Sequence, residues 1–305
     1  MAKSKVLRIY LDEISRQRAK AGEFNIINRI QAVFERHGFR VDYCRDSEEE
    51  RGKSADRRGY SLFMMHDPFH PRALSMRKAY YYPFWRVERT HMRWKFEIAQ
   101  SEFRPENTDL VEATRFCNIW RRKLFANAEP GAAGDGSVYI PLQGHLLERR
   151  SIQSASPLNM IEAVLSHDPG RPVTLALHPT QTYLPEETDA LKALIDRHPR
   201  LRLSGEPAET LLARCDYVVT QNSSVAFSGM FLHKPAALFA RIDFHHICAN
   251  AHDLGIEQAI STASVLAPDF DRYIYWFLKG TALNGGSPDV DRQIEQMFRK
   301  RGWDL

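Results

Sequence analysis

Val138-Tyr-Ile-Pro-Leu142, Val173-Thr-Leu-Ala-Leu177, Leu201-Arg-Leu203, Tyr217-Val-Val-Thr220 and Ala236-Ala-Leu-Phe239 are short apolar runs separated by segments of helical pattern. Pro157 to Leu165 opens with Ser156 as an N-cap and proline at the first helical position. Glu186 to His198 carries Ala190, Leu191, Leu194 and Ile195 on one face, and Glu206 to Arg214 is a further helix. A Ser-rich turn then leads into a small-residue helix. The Val173–Leu177 run is apolar almost throughout, as a strand buried on both faces of a parallel sheet must be. Strands alternating with helices in this way predict a doubly wound parallel sheet.

Working back towards the N-terminus, Asn127-Ala-Glu-Pro-Gly-Ala-Ala-Gly-Asp-Gly136 is the strongest cluster of helix and strand breakers and reads as a domain linker. Before it, Val6–Tyr10, Arg40–Cys44 and Tyr60–Met65 read as strands. Ile26, Ile27, Ile30, Val33 and Phe34 give a helix up to His37 that Gly38 ends. Asp109 to Leu124 is helical, and the chain beyond Ile256 reads as helices around Gly285-Gly286. The expected division is 1–130, a Rossmann-like N-terminal domain; 136–262, a second Rossmann-like domain; and 263–305, C-terminal helices packing back.

Composition narrows the classes. The 305 residues carry 42 Lys+Arg against 38 Asp+Glu, a formal charge of +4, too mild for a general polyanion binder. With 43% hydrophobic residues the chain can bury a substantial core, which excludes disorder for most of it. No window approaches the roughly 18–20 uninterrupted apolar residues of a membrane span, and Met1-Ala-Lys-Ser-Lys5 runs into an amphipathic segment, so a cytoplasmic location is expected. Cys44, Cys117, Cys215 and Cys248 form no CxxC pair and read as reduced core residues.

In open parallel sheets ligands bind beyond the carboxyl ends of the strands. Those positions here are Gln143-Gly-His145, His178-Pro179, Gln221-Asn222-Ser223-Ser224, and Arg241 with Asp243-Phe-His-His246. Asn222, Ser223 and Ser224 at a helix start offer hydroxyls and backbone N–H groups to a phosphate, or simply cap the helix. His178 is placed to donate to a nucleotide oxygen, or is an ordinary loop histidine. His245 and His246 are adjacent and lack a third partner at helical spacing, so donor-pocket or structural roles are preferred over metal ligation.

Val138-Tyr-Ile-Pro-Leu-Gln143, Leu175-Ala-Leu-His-Pro179, Asp216-Tyr-Val-Val-Thr-Gln-Asn-Ser-Ser-Val-Ala-Phe-Ser228 and Gly229-Met-Phe-Leu-His-Lys-Pro-Ala236 resemble, in order and spacing, the capsule polysaccharide biosynthesis proteins. These include Kdo transferases of the two-Rossmann GT-B fold. The resemblance covers residues 136–245. Similar His-Pro and Ser-Ser elements occur in bacterial sialyltransferases and in the glycerophosphate polymerases of teichoic acid synthesis. It implies an α/β, GT-B-like chain with two Rossmann-like domains and a cleft between them. It also implies a metal-independent glycosyltransferase using a cytidine-linked nucleotide-sugar, CMP-Kdo-like, as co-substrate and no other cofactor. His178 and Pro179 would meet the donor phosphate or ribose, with Ser223 and Ser224 holding the phosphate and Asn222 and Gln143 beside them.

The acceptor side is expected from the first half. Met65-His66-Asp67-Pro68-Phe69-His70-Pro71 places a carboxylate and two imidazoles after a strand, so Asp67 or His66 is a candidate general base, unless both merely cap a turn before Pro68. His145 is the alternative catalytic residue. No Glu-Asp-Gly or Asp-Asp-Gly base motif occurs. Arg72, Arg77 and Lys78 open a basic, aromatic stretch to Lys95 with three readings: a face for an anionic saccharide or lipid headgroup, a nucleic-acid surface, or a solvated helix with buried aromatics. No nucleic-acid motif appears, so the saccharide or lipid is favoured between the first two. The expected activity is transfer of a cytidine-activated sugar to a glycan or glycolipid acceptor in capsule or surface polysaccharide biosynthesis, with peripheral contact at the inner membrane surface. The alternatives are a CDP-glycerol-type glycerophosphotransferase and a non-catalytic nucleotide- or glycan-binding protein of the same fold.

Overall fold

The computed structural model describes residues 5–126 and 128–305. Met1–Ser4, part of the N-terminal segment considered above, and Asn127, which opens the expected linker, lie outside the described residues. From the N-terminus the elements are β1 (Val6–Leu11), α1 (Glu13–Lys20), α2 (Asn25–Arg36), β2 (Arg40–Arg45), α3 (Glu48–Gly52), β3 (Tyr60–Met64), β4 (Ala73–Lys78), β5 (Phe84–Glu88), α4 (Glu97–Gln100) and α5 (Leu110–Phe125). They continue with β6 (Val138–Pro141), α6 (Pro157–His167), β7 (Val173–Ala176), α7 (Pro185–Arg197), β8 (Leu201–Leu203), α8 (Ala208–Arg214), β9 (Tyr217–Thr220), α9 (Ser224–Met230) and β10 (Ala236–Leu238). The last are β11 (Ala249–Asn250), α10 (Ala251–Leu254), α11 (Ile256–Ala263), α12 (Phe270–Tyr275), β12 (Leu283–Asn284) and α13 (Val290–Lys300).

Two compact units form, one from residues 1–100 and 277–305, the other from 101–276. The first holds a sheet in the order β12-β5-β4-β3-β1-β2. β2, β1, β3 and β4 run parallel, while β5 is antiparallel to β4 and β12 antiparallel to β5. The chain order therefore reverses between β1 and β3. α2 buries Ile26, Ile27, Ile30, Val33 and Phe34, the apolar stripe read from its 3.6-residue period. Gly38, at φ 75, takes the left-handed conformation that ends the helix run. α13 buries Val290, Ile294 and Phe298 into the same core, with Phe298 edge-on to Phe34 at 5.1 Å between ring centres. Each such side chain contributes about 1.5–3 kcal/mol by leaving water.

The basic stretch is neither a helix nor uniformly solvated. Its first part is the β4–β5 pair, in which Arg77 faces Arg86 and Lys78 faces Trp85. Arg86 is buried: its Nη2 donates to the Phe277 carbonyl at 2.6 Å and its guanidinium stacks 4.4 Å from the centre of the Phe277 ring. Glu88, also buried, lies 3.2 Å from Arg301. Burial raises the Glu88 carboxyl above its ordinary range, opposed by Arg301 and Arg86.

In the second unit all strands are parallel, in the order β11-β10-β9-β6-β7-β8. Strand succession moves outward from β6 through β7 and β8, then jumps back across β6 to β9 and on through β10 and β11. Val138, Ile140, Val173, Leu175, Tyr217 and Val219 are buried in its core, the burial that their apolar runs anticipated. Ser156 caps α6, its side chain accepting from Asn159 N, with Pro157 following at the first helical position.

The division differs from the one expected at 131–136. Residues in that glycine-rich run are bonded into the second unit: Gly131 N–H donates to Leu232 O at 3.1 Å, Asp135 N–H to Arg214 O at 2.7 Å, and Lys234 Nζ to Ala132 O at 3.1 Å. α5 joins the second unit because its buried Arg121 is fixed there. Arg121 donates to Phe231 O at 2.6 Å and to Asp271 Oδ1 at 3.1 Å, and His233 Nε2 is 3.0 Å from the same oxygen. Residues 277–305 join the first unit through β12 and α13. The cysteines are free, and burial pushes the Cys215 thiol up to about 12.

Burial alone would raise the Asp271 carboxyl, but its bonds and charge contacts with His233 and Arg121 hold it below the ordinary value. A depressed carboxylate contributes stability above its unfolded pKa, lost as pH falls through the folded one. Arg121→Ala, which leaves the buried Asp271 carboxylate with His233 as its remaining charged partner, should cost about 3–5 kcal/mol in urea unfolding. Asp271→Asn should flatten the acid limb of stability against pH below about pH 4; an unchanged limb would place the acid sensitivity elsewhere.

Candidate functional site

The second sheet brings its candidates to its carboxyl edge. A cavity of about 410 Å³ opens there, lined by Pro141 at the end of β6 and Leu142 after it, Leu177, His178 and Pro179 after β7, Ser204 to Pro207 after β8, and Ser223 and Val225 after β9. It lies where strand succession jumps from one side of β6 to the other, the crevice in which doubly wound sheets hold ligands. The jump occurs because β6 has neighbours on both sides whose crossovers depart in opposite directions, leaving their loops splayed apart.

His178 is oriented by its own loop. Its backbone N–H donates to Tyr183 Oη at 2.8 Å, and Thr180 N–H donates to His178 Nδ1 at 3.3 Å. A ring nitrogen that accepts carries no proton, so the proton sits on Nε2 and the exposed ring presents an N–H donor. Ser223 lines the cavity and is largely buried. It also caps α9, its Oγ accepting from Val225 N at 3.3 Å, so the capping arrangement read from the sequence is present. Ser224 is exposed at the first turn of α9, and Asn222 is half-buried.

The other candidates fall outside the cavity lining. Gln143 lies in the loop after β6, with Oε1 buried and making no protein hydrogen bond; buried Gln221 likewise leaves Oε1 unpaired while its Nε2 donates to Ala155 O at 3.1 Å. Such buried acceptors are uncommon. His145, at φ 61, is on an exposed turn with its Nδ1 3.5 Å from Glu148. His246 uses both ring nitrogens, 3.0 Å from Ser101 O and 3.0 Å from Tyr273 Oη, and stacks on His245 at 4.3 Å. Among the described residues no group of three or more His, Cys, Asp or Glu is arranged to hold a metal ion.

In the first unit, His66 and Asp67 follow β3. His66 Nε2 is 3.0 Å from Asp46 Oδ2, and Asp67 Oδ1 is 3.0 Å from His91 Nδ1. Arg72 donates to the carbonyls of Ala55 and Arg57 at 2.7 and 3.2 Å, tying the loop before β3 to the start of β4. Arg77 is half-buried and Lys78 exposed at the end of β4.

Two residues that contact the candidates or their loops escaped the sequence reading. Asp46 directly follows β2, beside His66. Glu187, buried in the first turn of α7, accepts from Leu184 N at 2.9 Å through Oε2 and from Leu146 N through Oε1, holding the loop after β6. The signal for Glu187 was local: Pro185 and then Glu187 mark the first and third helical positions. For Asp46 there was none, because its pairing depends on how β2 and β3 flank β1.

No family model matches the chain, and no curated protein matches it. Solved structures do. The beta Kdo 2,7 transferase of Thermosulfurimonas dismutans KpsC superposes with a TM-score of 0.56 at 13% identity, covering 97% of this chain and 99% of that one. The beta Kdo 2,4 transferase of the same organism's KpsC gives 0.49 at 12% identity, with 90% of each chain covered. The UDP-GlcNAc 2-epimerase of Neisseria meningitidis, bound to UDP-GlcNAc, gives 0.36 at 10% identity over 97% of this chain and 99% of that one. The first of these establishes the fold as α/β of the Kdo-transferase-like GT-B type.

Glu187→Ala should free the Leu146 and Leu184 amides to exchange with solvent faster than their neighbours, with a stability loss of about 1–3 kcal/mol. Unchanged protection at both amides would remove Glu187 from any role in holding the loop.

Proposed function

We propose that this protein is a glycosyltransferase that moves a sugar from a cytidine-activated, CMP-Kdo-like donor to a glycan or glycolipid acceptor in surface polysaccharide synthesis. The observation that carries this reading is the cavity at the carboxyl edge of the second sheet, which joins His178, Pro179 and Ser223 in a GT-B fold. At about 410 Å³ it falls within the range of small-molecule sites. The cytidine assignment rests on the His-Pro and Ser-Ser elements and their resemblance to the capsule proteins.

In such a transfer the anomeric carbon–oxygen bond breaks with its electron pair leaving on the CMP phosphate. The acceptor oxygen bonds to the anomeric carbon and gives up its proton. His178, with its proton on Nε2, supplies a donor for the departing phosphate, and the Ser223 hydroxyl a second. Hydrogen-bond donors take the charge that a divalent ion takes in other transferases, so activity should survive chelation. His66 or Asp67 in the first unit is the group available to accept the acceptor's proton.

Peripheral membrane contact is part of the same reading. No helix among the described residues is long and apolar enough to cross a bilayer. α5, however, turns Leu110, Val111 and Ile119 outward beside Arg115 and Arg122, with Val111 76% exposed. Apolar residues interleaved with arginines suit the interface of an anionic bilayer, and the acceptor's lipid end would lie at such a surface.

Calorimetry on the full chain should show binding of CMP over UMP and GMP, weakened about 10- to 100-fold in His178→Ala, the loss expected for a hydrogen bond to a charged oxygen. Failure of CMP to bind would sink the donor assignment. Turnover of CDP-glycerol in place of CMP-Kdo would select the glycerophosphotransferase, and binding without turnover the non-catalytic form. In sedimentation, vesicles containing phosphatidylglycerol should retain the protein and phosphatidylcholine vesicles should not. Arg115→Glu with Arg122→Glu should abolish the difference.

A further inference from the structure

His66 and Asp67 each sit in a histidine–carboxylate pair after β3, but the two pairs are built differently. Asp67 and His91 are both well exposed, whereas the Asp46 side chain is 14% exposed and anchored from behind. Its Oδ1 accepts from Arg51 Nη1, and its backbone N–H donates to Leu11 O at 2.8 Å, locking the end of β2 to the end of β1. Arg51 is held in turn: its carbonyl accepts from Ser54 Oγ, and buried His70 Nε2 lies 3.0 Å from that oxygen. Because the Ser54 proton goes to Arg51 O, His70 Nε2 is the donor there.

We propose that Asp46 is the positioning residue for His66, fixing the imidazole tautomer in which Nδ1 takes the proton of the acceptor hydroxyl. This rests on the transferase reading above and assigns the choice it left open to His66. Arginine only donates, so Asp46 Oδ1 is committed as an acceptor and Oδ2 faces His66 Nε2 at 3.0 Å. An acceptor at Oδ2 requires the proton on Nε2, which leaves the lone pair on Nδ1. As the acceptor oxygen bonds to the anomeric carbon its proton moves to Nδ1, and the imidazolium that results is balanced by the Asp46 carboxylate. The electron pair of the broken donor bond leaves with the phosphate of CMP. A carboxylate that orients a histidine and stabilises its charged form is a general device for such bases. The pair also lies at the carboxyl edge of β1, β2 and β3, where strand order in this sheet reverses. That is the same relation the cavity bears to the second sheet.

Asp46→Asn preserves shape and makes the test sharp. Arg51 would hold the amide oxygen, turning the amide NH2 towards His66 Nε2 and driving the ring proton to Nδ1. Nitrogen-15 spectra of histidine-labelled full-length protein should show the Nε2–H form of His66 in the wild type and the Nδ1–H form in Asp46→Asn. With CMP-Kdo as donor and water as acceptor, kcat for CMP release should fall about 100-fold in Asp46→Asn with KM little changed. The Asp46→Asn, His66→Ala double variant should be no slower than His66→Ala. An unchanged tautomer in Asp46→Asn, or losses that multiply in the double variant, would overturn the assignment. A wild type that releases no CMP from CMP-Kdo would instead sink the transferase reading, and the spectra would still decide whether Asp46 sets the state of His66.

Discussion

Parallel strand pairing is the constraint from which the rest of this structure follows. Two parallel neighbours cannot be joined by a hairpin; the chain must cross back over the face of the sheet before starting the next strand. Every strand of the second sheet meets this condition, so every one begins at one edge and ends at the other. The loops that leave the carboxyl edge are thereby gathered together whatever their separation in sequence. Residues 142, 178, 204 and 223 share one cavity for that reason. The helices required by the crossovers cover both faces, which is why the strands must be apolar on both sides.

The same constraint explains what could be read from the sequence. Val173–Leu177 and Tyr217–Thr220 announce themselves because both faces are buried, and α2 because one face is. β4 and β5 did not, since Arg72, Arg77, Lys78, Arg86 and Arg89 spread across and around the pair read like a solvated basic segment. Arg86 is tolerated inside only because the Phe277 carbonyl and ring receive it, and nothing near residue 86 in sequence foretells residue 277. The unit boundaries were hidden for a related reason. Glycine and proline mark where a chain bends, but Gly131 and Asp135 are held by Leu232 and Arg214, bonds that no local composition encodes.

The candidate residues of each unit divide along the same line. His178 and Ser223 in the second unit, and His66 and Asp67 in the first, were legible because each lies just beyond an apolar run, and strand ends are where ligands meet such sheets. Their partners were not legible. Asp46 reads as one more charge in an acidic loop until β2 is set beside β1, and β3 beside β1 on the other side. The tautomer of His178 depends on Thr180 curling back over the ring, a matter of loop geometry two residues on.

The contribution of residues 283–300 to the first unit orders events in time. β12 closes one edge of that unit's sheet, and Leu283, Val290, Ile294 and Phe298 complete its core around Phe34. In synthesis these residues come after all of 101–276, so the second unit has its whole sequence available while the first still lacks one edge strand and a covering helix. Until then β5 presents open backbone donors and acceptors, and part of the α2 stripe faces water. The nascent first unit is therefore the portion of this chain whose edge and core stay open longest during translation.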